Sequence, residues 1–177
     1  MFERFDRAVK DVVVGSQAIA VEQGCAHIDS SHLAYALLRQ PVGALHRVLA
    51  GNGVEPGEVE AELDAMRRRG GVSGAEVEAL AAVGIAVQDV LDRLGRDHDE
   101  SAGPRRRRGF FGGHLPLTDA ARRVLLRSLE EAKELGMKRI TVDHVLLAVL
   151  GVQGPVADVL ADAGVTRDVV RRHLGAT

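Results

Sequence analysis

The 177-residue chain has no tryptophan, one tyrosine, four phenylalanines and a single cysteine. Because aromatic residues are so few while 46% of the chain is apolar, a core must be built from Ala, Val, Leu and Ile. Cys25 has no second cysteine for an internal disulfide, which favours a reducing, intracellular setting. No apolar run approaches the roughly 18–20 residues of a membrane span, and the charged N-terminus does not resemble a secretion signal. A soluble cytoplasmic protein is expected, and a net charge of −2 indicates no general attraction to nucleic acid or anionic membranes.

Strand patterns are missing as well, because no run alternates apolar and polar residues and all periodic segments step by 3.6 residues. The strongest positive feature is a repeat: residues 24–38 return 112 positions later as residues 136–150. In both copies a glycine ends one apolar run, an isoleucine follows four residues on, and a polar cap leads to a histidine and a short apolar helix. After that helix, equivalent residues of the two copies lie 111 positions apart. The sequence predicts an all-α fold of two four-helix repeats packed as a pseudo-twofold pair.

Capping residues indicate where the helices of both repeats begin and end. Asp6 and Thr118 precede the first helix of each copy, and Gly24 ends the first helix of copy one. His32 and His144 occupy equivalent positions at the start of the second helix. We predict a structural role for both, in which the ring donates a hydrogen bond that fixes the preceding loop.

The predicted organisation is one compact domain with repeats at residues 1–70 and 114–177. Between them, residues 79–94 resemble the back half of each copy, which predicts a half-unit of two short helices that adds to the core or caps it. Residues 95–113 lose periodicity and are rich in Gly, Asp and Arg, which is typical of an exposed, mobile loop. The connection between the repeats therefore covers residues 71–113.

Catalytic and cofactor motifs are scarce. Cys25, His27 and His32 match no standard zinc spacing, and the second copy replaces the first two by Met137 and Arg139. No phosphate-binding loop with its lysine is present, and no nucleophile is paired with a base. Four arginines at 105–108 are more typical of a solvated loop than of a nucleic-acid site. The sequence predicts no enzyme, no cofactor, no metal and no membrane or nucleic-acid partner.

Three elements occur twice in register: the turn before the isoleucine, the His-Leu or His-Val helix start and the VLxxxGV element. The first copy opens with MFERF, and the second opens with His114-Leu-Pro-Leu-Thr118. With them, the chain resembles the N-terminal repeat domain of Clp/Hsp100 chaperone-unfoldases, in particular the ClpC type. The resemblance covers both repeats, whereas the connection at residues 71–113 is longer than is usual in the family. Since no ATPase motif is present, a free-standing N-domain is expected.

The resemblance implies a domain that receives substrates and adaptors and, in the ClpC type, can bind phosphorylated arginine. That pocket uses a Thr-Glu pair just before the histidine, and the equivalent pairs here are Ser30-Ser31 and Val142-Asp143. Guanidinium recognition favours a carboxylate, which makes Asp143 the stronger of the ligand candidates Ser30, Ser31 and Asp143. The simpler interpretation is that Asp29, Ser31 and Asp143 cap helices, with Thr141 or Asp143 capping the second helix of copy two.

Two further sets of residues are candidate partner surfaces. Phe110 and Phe111 either dock on the domain or present an anchor to a partner. The resemblance makes Phe2, Lys10 and Val14 candidate contacts, because partners and cyclic-peptide antibiotics bind the first-helix surface in the family; core packing is the alternative. The predicted function is a non-catalytic module of the Clp protease system that binds substrates, adaptors or Clp unfoldase and protease components. The alternative is a protein that sequesters a peptide antibiotic or another small ligand directed at the unfoldase N-domain.

Overall fold

The computed structural model describes residues 2–72, 74–84, 86 and 114–175. Within these residues, one turn of 3₁₀ helix at Phe2–Arg4 precedes nine α-helices. They are α1 (Arg7–Glu22), α2 (Ser30–Leu38), α3 (Ala44–Asn52), α4 (Pro56–Arg68), α5 (Gly74–Ala82), α6 (Asp119–Glu134), α7 (Val142–Gly151), α8 (Pro155–Asp162) and α9 (Arg167–Gly175). Helices α1–α4 recur as α6–α9 in the same order. The predicted all-α class with two four-helix repeats is confirmed.

The first helix of each repeat begins and ends where the sequence predicts. The Asp6 side chain accepts a hydrogen bond from the Val9 amide at 2.8 Å, and the Thr118 hydroxyl accepts one from the Ala121 amide at 3.2 Å. Each bond satisfies an amide that has no partner within the helix. Gly24 follows the end of α1 with φ +67°, a conformation that glycine adopts without strain, and its counterpart in the second repeat has the same φ.

The second helix of each repeat forms the centre of the core. Residues 31–38 of α2 and residues 144–149 of α7 are buried throughout. Helix α1 packs on α2, α6 packs on α7, and α2 and α7 contact each other. A short helix that is apolar on all sides needs this central position, because no face of it suits solvent. As predicted, Ala, Val, Leu and Ile supply nearly all of this core.

The two repeats exchange backbone hydrogen bonds through a pair of single, parallel β-bridges. Phe5 pairs with Ile140, and Ile28 pairs with Leu117. At each bridge two N–H···O bonds of 2.8–3.0 Å join the segment before the first helix of one repeat to the loop before the second helix of the other. Leu117 and Ile140 lie 112 positions after Phe5 and Ile28. The exchange is therefore reciprocal, as a pseudo-twofold relationship requires.

The back halves of the repeats also cross over. Helix α3 packs on α9, and α4 packs on α8. The Asn52 side chain at the end of α3 donates a hydrogen bond to the Ala163 carbonyl, at 3.1 Å. This crossing brings the end of α4 close to the start of α8.

Helix α5 corresponds to the first part of the predicted half-unit. It begins earlier than predicted, at Gly74, and is followed by Gly84, which aligns with Gly53 after α3 and with Gly164 after α8. All three glycines are left-handed, with φ of +80°, +68° and +79°. The shared conformation supports the half-repeat interpretation for α5.

Of the two roles predicted for the half-unit, adding to the core or capping it, helix α5 does not take the first. All its described side chains are exposed or half-buried, and Val83 just after it is exposed. The rest of the half-unit and the arginine-rich segment, with Phe110 and Phe111, lie outside the described residues. The division into residues 1–70, 71–113 and 114–177 stays a prediction.

Among the described helices, none is long and apolar enough to cross a membrane alone. Helices α7 and α8 meet the length and composition criteria only as a pair, and they are bent by 112° relative to each other.

Candidate functional site

Both histidine-bearing helix starts are built around a ring nitrogen that accepts a backbone hydrogen bond. The Asp29 amide donates to Nδ1 of His32 at 3.0 Å, and the Thr141 amide donates to Nδ1 of His144 at 3.0 Å. Both side chains are only 1% exposed. The prediction that the rings donate to the preceding loop is thus wrong in direction: they fix the loop by accepting. Each Nε2 has no hydrogen-bond partner among the described residues.

The electrostatics at these two helix starts differ. Burial alone raises the pKa of Asp29, but its contact with His32 and the hydrogen bond from the Ser31 hydroxyl outweigh burial and hold that pKa well below its usual range. Burial lowers the pKa of His144, and the nearby carboxylates of Asp143, Glu131 and Asp6 offset this only in part. Asp29 therefore carries a negative charge, whereas a neutral His144 suits its role as an acceptor.

An open groove lies at the start of α2, where the two repeats meet. This inter-repeat groove has a volume of about 370 Å³. It is lined by Asp29, Ser30, Ser31, Met66, Arg67, Gly70, Gly71, Pro155 and Val156. The structure thus brings the two predicted serines together against the end of α4 and the start of α8.

The groove retains a carboxylate, although not at the position that the family resemblance predicts. Ser31 is buried and donates its hydroxyl hydrogen to Oδ1 of Asp29 at 2.6 Å. Asp29, two residues before the family's glutamate position, itself lines the groove. Sequence reasoning treated Asp29 only as a helix cap. Its acidic character and its place before Ser31 were visible in the sequence, but its exposure to the groove was not.

Asp143 lies apart from the inter-repeat groove. Its Oδ1 accepts a hydrogen bond from the backbone amide of Ala44, the first residue of α3, at 2.5 Å. The preceding Gly43 has φ +104°, and a Cβ there would lie 2.7 Å from the same oxygen. Asp143 therefore caps a helix of the other repeat, while Thr141 occupies the cap position of its own helix.

The candidate surface on α1 is described in part. Val14 is 71% exposed, and Lys10, one helical turn earlier, is exposed as well. Residues four apart on a helix lie side by side, so the two form one small patch. The Phe2 side chain lies outside the described residues.

A second groove involves residues that sequence reasoning did not single out. This charged groove, of about 520 Å³, lies between the end of α1, the second half of α2 and α4. It is lined by Glu22, Gln23, Tyr35, Arg39, Glu60, Asp64, Arg67 and Arg68. One feature of the sequence could have indicated this groove: Tyr35 is the only tyrosine of the chain, and the equivalent residue of the second repeat is Leu147.

The second repeat has a buried charge cluster that was also missed. Glu131 is 2% exposed, and its carboxylate lies 2.7 Å from Arg167, 3.0 Å from Arg171 and 3.6 Å from Arg127. Burial opposes ionisation, but hydrogen bonds from Arg171 and Arg167 lower the pKa of Glu131. In the repeat alignment Glu131 corresponds to Ile19. A carboxylate at an otherwise apolar position was therefore the sequence feature that could have indicated this cluster.

The described residues contain no group of three or more His, Cys, Asp and Glu side chains arranged to hold a metal ion. Cys25 instead accepts a hydrogen bond at its Sγ from Nη2 of Arg67, at 3.4 Å. His32 is engaged by its own helix start through Nδ1. The three side chains weighed as a zinc site are thus involved in separate contacts or, for His27, exposed to solvent.

Comparison with known proteins agrees with the repeat architecture. A family model described as the Clp repeat N-terminal domain matches residues 4–76, 72–163 and 116–176. The chain is 26% identical over 182 residues to the chloroplastic chaperone protein ClpC2 of Oryza sativa subsp. japonica, covering 100% of this chain and 16% of that protein. The chain spans 14–18% of the length of the curated relatives that it matches over nearly its whole length.

Solved structures support the same fold. The N-terminal domain of Hsp104 from Candida albicans superposes with a TM-score of 0.60 at 15% identity, covering 95% of this chain and 87% of that one. The N-terminal domain of ClpD from Arabidopsis thaliana gives a TM-score of 0.54 at 15% identity, covering 99% and 97%. At such low identity these likenesses concern the fold. Taken with the family model, which matches both repeats, they show that the chain belongs to the Clp N-terminal repeat domain family, a module of the Clp system.

Proposed function

We propose that the chain is a non-catalytic binding module that takes segments of substrates, adaptors or Clp components into the inter-repeat groove. One observation carries the proposal. The groove joins Ser30 and Ser31, the positions singled out by the family resemblance, to the end of α4 and the start of α8. A cleft between two structural units is a common location for a binding site.

The chemistry of the groove suits a polypeptide. Met66 and Val156 supply apolar surface, while Asp29 and Arg67 supply one charge of each sign. Arg67 has no carboxylate within 4 Å among the described residues, so its charge is available to a ligand. A segment with an apolar side chain next to polar groups fits this lining.

The arrangement of the serines argues against catalysis. A nucleophilic serine needs an imidazole nitrogen that can take its proton. The Ser31 hydroxyl instead donates to Asp29, and Nδ1 of His32 already accepts the Asp29 amide proton. With the Ser31 hydroxyl directed to Asp29 and Nδ1 of His32 engaged by the Asp29 amide, the serine–imidazole hydrogen bond that such catalysis needs is not formed.

Fluorescence anisotropy with labelled casein, used as a naturally unfolded probe, tests the proposal. The variant Ser30→Trp fills the groove, and we expect it to weaken binding at least about tenfold, as loss of a central contact does. The matched variant Val14→Asp changes the α1 patch and should leave the affinity unchanged. Thermal melts establish that both variants fold. Absence of binding by the wild-type chain, or equal binding by Ser30→Trp, would overturn the proposal.

A second candidate function is the sequestration of a peptide ligand on α1. It is favoured by one observation, the exposure of Val14 next to Lys10. Calorimetry with a cyclic-peptide antibiotic directed at Clp unfoldases tests it. Heat of binding that disappears in Val14→Asp supports sequestration, and no heat at micromolar protein excludes it.

A further inference from the structure

The charged groove contains an acidic group that has no cationic partner among the described residues. Tyr35 is 2% exposed, and its hydroxyl donates to Oδ1 of Asp64 at 2.5 Å. Burial and the hydrogen bond to Asp64 raise the pKa of Tyr35, so the hydroxyl remains a donor. Among the described residues, no Lys, Arg or His nitrogen lies within 4 Å of the Asp64 carboxylate. Asp64 is only half-buried and lines the groove.

Two cations without carboxylate partners lie one helical turn further along α4. Arg67 donates to the Sγ of Cys25, and neither Arg67 nor Arg68 has a carboxylate within 4 Å in the part of the chain that the structure describes. The other end of the groove is different. There, Arg39 lies 3.9 Å from Glu22 and 3.5 Å from Glu60, so its charge is balanced. In the described part of the chain, one end of the groove thus keeps an anion and two cations that form no ion pair, and the Tyr35 side chain is in hydrogen-bond contact with both Asp64 and Arg67.

The fold does not require this arrangement. In the second repeat, Leu147 and Gly175 stand at the positions of Tyr35 and Asp64. There Arg171 of α9 reaches α6 directly, at 3.0 Å from Glu131 and 2.9 Å from Glu134. In the second repeat an arginine of α9 thus pairs directly with α6, whereas among the described residues of the first repeat ion pairs link α1 and α4 only at one end of the groove, through Arg39.

We propose that the charged groove is a second binding site, which takes an extended polypeptide segment with a basic and an acidic side chain two residues apart. The basic side chain pairs with Asp64, and the acidic one pairs with Arg67 and Arg68. The backbone positions that bear these side chains are about 5.4 Å apart, one turn of α4, and same-side residues of an extended chain are about 6.8 Å apart. The inference rests on the proposed function only in that the ligand is a polypeptide. The charged groove shares Arg67 with the inter-repeat groove, but its other lining residues, including Asp64 and Arg68, are its own.

Nuclear magnetic resonance titration of the ¹⁵N-labelled chain with a synthetic peptide tests this site. The probe is the capped heptapeptide Ser-Lys-Ser-Glu-Ser-Lys-Ser, which presents the basic and acidic pair in both chain directions. Control peptides replace Glu by Gln, replace both Lys by Gln, or place Lys and Glu next to each other so that they point to opposite sides. We expect shifts centred on residues 60–68 and an affinity about fivefold higher than that of each control, the ratio typical of one exposed ion pair.

The variant Asp64→Asn separates a binding role from a structural one. Asn keeps an oxygen that accepts from Tyr35, so the fold is retained, which a thermal melt verifies. The variant should bind the parent peptide about fivefold more weakly and the peptide without Lys equally well. Glu58→Gln, an exposed change on the same helix outside the groove, should alter neither affinity.

Three outcomes would overturn the inference: equal affinity for all four peptides, no effect of Asp64→Asn, or shifts confined to Ser30 and Ser31. The last outcome would still support the inter-repeat groove as a site. Conversely, casein binding that is unaffected by Ser30→Trp contradicts the proposed function. That result does not decide the site at Asp64, which the peptide titration tests separately.

Discussion

The carboxylate of Asp143 accepts a hydrogen bond from the backbone amide of Ala44, 2.5 Å from its Oδ1. Ala44 begins α3, and its cap position is held by Gly43, which has no side chain to accept this bond. A residue of the second repeat therefore completes a helix of the first. The close approach depends on glycine at position 43, because a Cβ there would lie 2.7 Å from the Asp143 oxygen.

Replacing Asp143 by alanine removes this cap and should lower the free energy of unfolding by about 1–2 kcal/mol, the usual cost of a lost N-cap. Urea denaturation followed by circular dichroism measures the change. Asp11→Asn, an exposed acidic residue in the middle of α1, provides the control and should change stability by less than about 0.5 kcal/mol. Equal stability of the two variants would show that the Ala44 amide is satisfied by water just as well.

The contrast between Asp6 and Asp143 explains how much of the fold could be predicted. Asp6 caps the helix that follows it in the chain, so local rules were sufficient. Asp143 caps a helix that begins 99 residues earlier, and no local pattern indicates such a partner. The repeat predicted that the two units pair, because equivalent apolar helices need a common core. It did not predict which polar groups meet across the pair.

The candidate sites also divide into those that local sequence patterns predict and those that depend on how the helices pack. Ser30 and Ser31 could be singled out because a family pattern surrounds them, and they do line a groove. The Tyr35–Asp64 contact joins residues 29 positions apart on two helices, and it depends on how α2 and α4 pack. His32 shows a subtler limit: its structural role could be predicted, but whether its ring donates or accepts depends on the rotamer and the loop geometry.

The buried cluster around Glu131 should be the most sensitive polar position of the second repeat. Glu131→Gln removes the charge that Arg167 and Arg171 share, so we expect a loss of about 2–3 kcal/mol, as for hydrogen bonds to a charged group. Glu134→Gln is the matched variant, since Glu134 pairs with the same Arg171 at 2.9 Å but is 61% exposed. Its cost should stay below about 1 kcal/mol. Denaturant titrations that give both variants the same midpoint would contradict the importance of burial here.

His144 predicts a pH dependence of stability. Because burial lowers its pKa in the folded protein, the unfolded chain binds a proton more readily below the ordinary histidine value of about 6.5. Its contribution to stability is thus complete above that pH. It declines as the pH falls from there towards the folded-state pKa, with a limiting slope of about 1.4 kcal/mol per pH unit. Urea denaturation at pH 7.5, 6.5 and 5.5 measures this slope.

Two variants test whether the pH dependence of stability arises from the His144 ring. His144→Gln keeps an acceptor for the Thr141 amide, as glutamine does at the third position of many helices, and should flatten the slope. His27→Gln removes an exposed histidine, keeps His144 and should leave the slope in place. If His144→Gln retains the wild-type slope, another group accounts for the pH dependence.

The crossed β-bridges predict that the repeats unfold together. The amides of Asp6, Ile28, Thr118 and Ile140 each donate to the opposite repeat, although all four lie outside helices. Loop amides usually exchange with solvent through small local openings. Here an opening has to separate the repeats and expose the core between α2 and α7. We therefore expect these amides to exchange as slowly as that of Leu33 in α2, with apparent opening free energies within about 1 kcal/mol of it.

Hydrogen exchange measured residue by residue tests this expectation, and urea adds a second criterion. If the four amides open only by global unfolding, their opening free energies fall with urea at the same slope as that of Leu33, because the same surface becomes exposed. A shallow slope together with fast exchange would mean that the bridges open while both repeats stay folded. In that case the pairing of the repeats depends on the α2–α7 contact and on the caps that cross between them, Asp143 above all.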